Sequence, residues 1–270
     1  MGFFNLMPGR RRRLPRMEHL LSYQAANLQC VGTRERQEDS FAFVNALDVT
    51  EIRRKGLLAV VADGMGGMSD GKQVSEACVS SILSDFQNMD RDGNLAAQLE
   101  ESVMNTNENL YKRFCGKGGT TLVAALIYQE NLFWISIGDS YLYLKRGKGL
   151  YRLNRDQNYR SKLYLEAIRS GTLNTAKADS DPDGPRLSEF LGSESIEEVD
   201  QNFRAFRLID GDSILLCSDG VGGVLRESEI LECLSTVSTR DMCAKLDSKI
   251  KTLNRSNQDN YTALVIRCAY

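Results

Sequence analysis

Apolar and polar positions along this 270-residue chain follow two periods in alternating blocks. β-rich runs predict strands over residues 23–30, 41–47 and 57–62, the last apolar at every position. The spacing then turns helical. Val74, Cys78, Ile82 and Phe86 recur every fourth residue within 72–89. After a break at Asp92-Gly93, with Asn94 as a candidate N-cap, a second stripe runs through Leu95, Leu99, Val103, Thr106, Leu110 and Phe114. From Gly118 the period returns to that of strands, over 120–128, 132–137, 141–145 and 150–153, with short turns that predict an antiparallel meander. Residues 154–195 are polar, carry Pro182 and Pro185, and hold only a short helical patch near 162–169; they form an excursion from the sheet. Strands at 203–208 and 213–217, helices at 227–234 and 240–253, and a closing strand at 261–268 complete the order. This is an α+β pattern in one domain. Its short strand-to-strand turns exclude a doubly wound parallel sheet, which needs a crossover at each step.

Several strands end on a carboxylate. Residues 57–67 read LLAVVADGMGG, and 213–223 repeat the device as SILLCSDGVGG, so Asp63-Gly64 is echoed by Asp219-Gly220. The 132–137 strand ends in Gly138-Asp139-Ser140, and Gln258-Asp259-Asn260 opens the last strand. Any one Asp-Gly is an ordinary hairpin turn signal. Together they suggest acidic residues gathered at one end of a sheet.

Charge and composition limit what those acids can be doing. The net charge is 34 minus 36, or −2, but residues 1–16 carry five arginines and no acid, leaving 29 minus 36, or −7, for the remainder. An acidic body argues against specific nucleic-acid binding. The arginine cluster reads as a solvated tail over residues 1–20, with contact to anionic lipid or a partner as the alternative. Seven cysteines, odd in number and without a CxxC pair, fit free thiols in a reducing cytoplasm better than a disulfide framework. His19 is the sole histidine, which excludes His-rich zinc sites and disfavours Ser-His-Asp or Cys-His catalysis. No apolar run approaches the roughly 20 residues of a membrane span. Residues 1–7 lack the charge order of a secretory signal, and Leu6 occupies the Ser/Thr position of a myristoylation site.

Two motifs fall short. GGMSDGKQ at 66–73 has Walker A spacing, but Gln73 replaces the magnesium-binding hydroxyl. DSDPDG at 179–184 begins like a calcium loop, yet Phe190 stands where the bidentate Glu belongs. The constellation that remains is Glu38, Asp39, Asp63, Asp139, Asp219 and Asp259. Clustered carboxylates repel, and hard divalent cations such as Mg²⁺ or Mn²⁺ compensate them. Two such ions can share a carboxylate, activate a bridging water and clamp a phosphoryl group. The small Gly64 would let a backbone carbonyl approach a metal, and Arg34, four residues before Glu38, could grip a phosphate.

These residues, with GGTTL at 118–122, IGDS at 137–140 and QDNYTALVI at 258–266, resemble the metal-dependent serine/threonine protein phosphatases of type 2C (the PPM family) in their compact bacterial form. The motifs keep the family's order from about Gln24 to Arg267. The resemblance implies an α-β-β-α sandwich over residues 21–270, with 154–195 as a flap. It implies hydrolysis of phosphoserine and phosphothreonine on proteins by a water or hydroxide bridging two Mn²⁺ or Mg²⁺ ions. Asp63 would bridge the ions, Glu38 and the Gly64 carbonyl would complete one site, and Asp219 and Asp259 the other. Asp139 would help hold a weaker third ion, Asp39 would orient the water, and Arg34 would bind the substrate phosphate. Phosphoprotein substrates, a cognate Ser/Thr kinase and a monomeric state are the implied partners. Met65, Met68, Gln37, Gln157 and Tyr141 depart from residues common in the family. Met65 stands where some relatives place a histidine as general acid, so leaving-group protonation must come from elsewhere. The rival expectation is a phosphatase-like binding or regulatory module with little turnover.

Overall fold

The computed structural model describes residues 20–65, 71–172 and 175–270. The basic tail, His19, Gly66-Gly67 and Met68 lie outside the described residues. The chain runs β1 (Ser22–Cys30), β2 (Ser40–Val44), α1 (Val49–Lys55), β3 (Leu57–Ala62), α2 (Gly71–Asn88), α3 (Leu95–Phe114), β4 (Leu122–Tyr128) and β5 (Asn131–Ile137). It continues through β6 (Tyr141–Arg146), β7 (Gly149–Arg152), α4 (Tyr159–Arg169), α5 (Ala176–Ser180), β8 (Asp200–Gln201) and β9 (Phe206–Arg207). β10 (Ser213–Cys217), α6 (Asp219–Gly222), α7 (Glu227–Leu234), α8 (Thr239–Thr252) and β11 (Tyr261–Ala269) close it.

Two antiparallel sheets result, in the orders β1-β11-β10-β6-β7 and β2-β3-β4-β5-β8, with β9 also on β5. The continuous apolar runs in the sequence follow from burial on both faces. In β3, Leu57, Ala59 and Val61 point between the sheets, whereas Leu58, Val60 and Ala62 meet α2 and α3. In β11, Leu264 and Ile266 face the inter-sheet core and Ala263 and Val265 face α7 and α8. The α+β sandwich with outer helix pairs is therefore three apolar layers deep. Leu264 is fully buried in the middle layer. Leu264→Ala is expected to destabilise the fold by about 2–5 kcal/mol, read from urea unfolding, because the rigid sheets on either side cannot collapse onto the cavity.

The 129–131 turn joins β4 to β5 as expected, with Gln129 and Glu130 both at positive φ, as a tight hairpin requires. The meander beyond β5 is corrected. β6 does not pair with β5 but with β10 in the other sheet. Gly138, at φ 99°, makes the sharp corner that lets the chain cross between sheets. The expected strand over 41–47 stops at Val44, where Asn45 at φ 64° turns the chain into α1, a helix too short to leave a clear period. Only Phe206–Arg207 of the 203–208 run is strand, and β8 was not foreseen. Both are two-residue edge pairings set by tertiary contact.

Candidate active site and metal centre

The antiparallel register brings distant carboxylates to one end of the sandwich. Cys30 at the end of β1 pairs with Tyr261 at the start of β11, so the 31–39 loop lies against Asp259 and Asn260. Arg34, Glu38 and Asp39 come from that loop. Asp63 and Gly64 follow β3, Asp139 sits in the sheet-crossing corner, and Asp219 begins α6 after β10. A cavity of about 410 Å³ opens there, lined by Arg34, Glu38, Asp63, Gly64, Asp139, Asp219 and Asp259, with Met65, Thr121 and Asn260, and with Pro185 and Leu187 from the excursion. A larger hollow of about 480 Å³ lies between α2 and α3, but its lining has none of these acids. Every expected site residue except Asp39 thus lines one cavity, and Asp39 is wholly buried behind it.

Neither Asp-Gly makes a hairpin. Asp63-Gly64 is tied sideways to the neighbouring strand, where Thr121 N–H donates to the Asp63 carbonyl at 2.9 Å and Asp63 N–H to Thr121 Oγ1 at 3.1 Å. Asp219-Gly220 is a helical turn. Gly64 is required by space: a Cβ there would lie 2.4 Å from the Gly71 carbonyl oxygen and 2.7 Å from that of Glu38.

Asn260 is a residue that motif reading passed over. Its Oδ1 accepts the Glu38 N–H at 2.7 Å, and its Nδ2 donates to the carbonyls of Val31 and Arg36 at 2.8 and 3.0 Å. It holds the acidic loop in place. Its place in QDNYT, beside Asp259, was the available signal. Gln157, noted as a departure, accepts the Gly138 N–H at 2.7 Å and so braces the corner that carries Asp139.

The site's electrostatics are set by burial and mutual repulsion. Burial, then Asp39, Asp219 and Asp139, hold Asp63 well above the usual carboxylate range. Burial, then Asp219 and Asp156, raise Asp139 to about 7. Burial raises Asp39 to about 6 against the hydroxyls of Thr262 and Ser218, and burial with Asp259 raises Asp219. Among the described residues, the ion pair reaching this set is Arg34–Asp259 at 2.6 Å. No three of the described acids close on one point as a finished cage. They form an open rim of hard oxygen donors short of positive charge, and one buried carboxyl oxygen, Asp39 Oδ1, has no hydrogen-bond partner. A donor set of this kind fits hard divalent cations.

The family model "Protein phosphatase 2C" matches residues 32–258. The chain belongs to the protein phosphatase 2C family. This phosphatase is 31% identical over 228 residues to the serine/threonine phosphatase stp of Listeria innocua, covering 81% of this chain and 87% of that protein. The Mycobacterium tuberculosis serine/threonine phosphatase PstP/Ppp aligns with a TM-score of 0.73 at 25% identity, over 92% of this chain and 99% of that one. A structure of the PstP catalytic domain in complex with two manganese ions aligns at a TM-score of 0.71 and 24% identity, over 93% and 100% of the two chains. The protein is a serine/threonine phosphatase, acts on phosphoproteins, and has the family's fold. Among the described residues, no helix is long and apolar enough to cross a membrane.

Proposed function

We propose that this phosphatase hydrolyses phosphoserine and phosphothreonine in proteins with two divalent cations, Mn²⁺ or Mg²⁺, held by the carboxylate rim. In this reading Asp63, Glu38, the Gly64 carbonyl, Asp219 and Asp259 would hold the two ions, and Asp139 would help hold a weaker third. The supporting observation is one cavity lined by Glu38, Asp63, Asp139, Asp219 and Asp259 together with Arg34, where burial first and then the neighbouring acids hold Asp63 and Asp139 above their ordinary range. When bound, the cations supply the missing positive charge, lower the pKa of the attacking water and neutralise the phosphoryl oxygens.

The chain's own residues orient the reactants. Asp39, buried behind the cavity, would accept a hydrogen bond from the attacking water and align it for in-line attack. Arg34 is largely exposed at the rim, so its bond to Asp259 contributes little to stability and is readily exchanged for the substrate phosphate. Arg34→Ala is expected to raise KM for a phosphothreonine peptide about tenfold with a smaller loss in kcat, in steady-state phosphate release.

The 154–195 excursion adjoins the cavity. Asn158 bridges Leu187, Gln157 N–H donates to the Gly138 carbonyl at 3.0 Å, and Pro185 and Leu187 reach the rim. Pro185 and Leu187 would touch the peptide beside the phosphorylated residue. The proposed setting is cytoplasmic and monomeric, with the phosphoprotein supplied by a Ser/Thr kinase; the seven free cysteines fit a reducing compartment. The test is phosphate release from a phosphothreonine peptide as Mn²⁺ is titrated, beside calorimetry. Turnover rising with occupancy of two sites is expected; two filled sites without turnover would overturn the reading.

A further inference from the structure

Asp39 is held by hydrogen bonds through its backbone and through one carboxyl oxygen. Its N–H donates to Gln37 Oε1 at 2.9 Å, and its carbonyl accepts from Lys72 Nζ at 3.0 Å and Gln29 Nε2 at 3.2 Å. Carboxyl oxygen Oδ2 accepts from Thr262 Oγ1 at 2.7 Å and from Ser218 Oγ at 2.9 Å. Oδ1 is buried without a partner.

Further bonds set the direction of both hydroxyls. Ser218 Oγ accepts the Thr262 N–H at 3.0 Å, and Thr262 Oγ1 accepts from Gln29 Nε2 at 3.3 Å. Each hydroxyl uses a lone pair on that side and turns its single proton to Asp39. With two donors converging on it, Oδ2 is held as an acceptor. Rotating the carboxyl away would leave two buried hydroxyls unpaired, which is costly. The clamp is built by tertiary structure. Cys217 is in register with Ala263, placing Ser218 beside Thr262, and the β1–β11 pairing brings the Asp39 loop over both.

We infer that Ser218 and Thr262 are positioning residues for hydrolysis. By clamping Oδ2, they leave Oδ1, the carboxyl oxygen to which no group donates, as the acceptor that Asp39 would turn to the attacking water. Neither residue lines the cavity, so both act through Asp39. The inference rests on the reading of Asp39 as the group that orients that water.

Four variants test it: Thr262→Val, Thr262→Ser, Ser218→Ala and Asp39→Asn, with kcat, KM, thermal melting and Mn²⁺ affinity by calorimetry measured for each. Thr262→Val and Ser218→Ala are each expected to lose roughly tenfold in kcat, the scale of one hydrogen bond to a charged group, with KM and Mn²⁺ affinity within about twofold. Thr262→Ser keeps the hydroxyl and is expected to retain most of the activity. Folded Thr262→Val and Ser218→Ala proteins with parental kcat would overturn the clamp, as would a Thr262→Ser protein as slow as Thr262→Val. If Thr262→Val does not fold, Ser218→Ala decides by the same readouts. Asp39→Asn with parental kcat would remove the underlying reading of Asp39. Asp39→Asn that is crippled, beside intact Ser218→Ala and Thr262→Val proteins, would remove the clamp alone.

Discussion

Asp63→Asn is expected to lower kcat for phosphopeptide hydrolysis by roughly 10³-fold or more while making the metal-free protein more stable at pH 7.5. The two effects share one cause. Asp63 is encircled by Asp39, Asp219, Asp139 and Asp259, and its ionised form is disfavoured by burial and by each neighbour. Asparagine has the same shape without the charge, so it relieves the repulsion. It also removes one of the anions proposed to hold the two cations, and with it the charge balance on which water activation rests. Activity in stopped assays and melting temperature in a chelating buffer should therefore move in opposite directions. A variant that keeps more than a tenth of the parental kcat in saturating Mn²⁺ would remove Asp63 from the centre of the site.

Chelation is expected to abolish turnover, again by about 10³-fold, and to leave a folded protein whose stability depends steeply on pH. Asp39 and Asp139 are raised to about 6 and about 7 from an ordinary value of 3.8. A carboxyl whose pKa is higher folded than unfolded favours the folded state while it is protonated. That contribution is complete below about pH 4 and is lost as pH rises through 6 to 7. The metal-free melting temperature should fall across that window, apart from any acid unfolding driven by ion pairs elsewhere. Divalent cations bind the deprotonated acids, so Mn²⁺ should raise the melting temperature far more at pH 7.5 than at pH 5. Calorimetric melts at the two pH values, with and without Mn²⁺, measure this. A melting temperature indifferent to Mn²⁺ at pH 7.5 would contradict the metal reading.

Much of this site was legible before any coordinates. An apolar strand that ends in Asp-Gly announces where a carboxylate leaves the core, and the echo at Asp219 suggested that two such ends belong together. Asn260, Ser218 and Thr262 were harder to see because each acts on a residue more than 170 positions away. A polar side chain inside a strand run looks the same whether it faces solvent or a buried carboxyl. The β5-to-β6 crossing was misread for a related reason. A tight turn containing Gly can close a hairpin or switch sheets, and only the partner strand decides between them.

The sequence by itself determined the type of most long elements, the α+β class, and the acids that carry charge at strand ends. Those follow from local periodicity and side-chain chemistry, which each segment holds independently of the rest. Tertiary structure alone decided that β6 leaves β5 for the second sheet, that Asn260 ties the acidic loop to β11, and that two hydroxyls meet one carboxyl oxygen of Asp39 and none meets the other. Those depend on which strands pair and in what register, a global balance of burial that no single segment encodes.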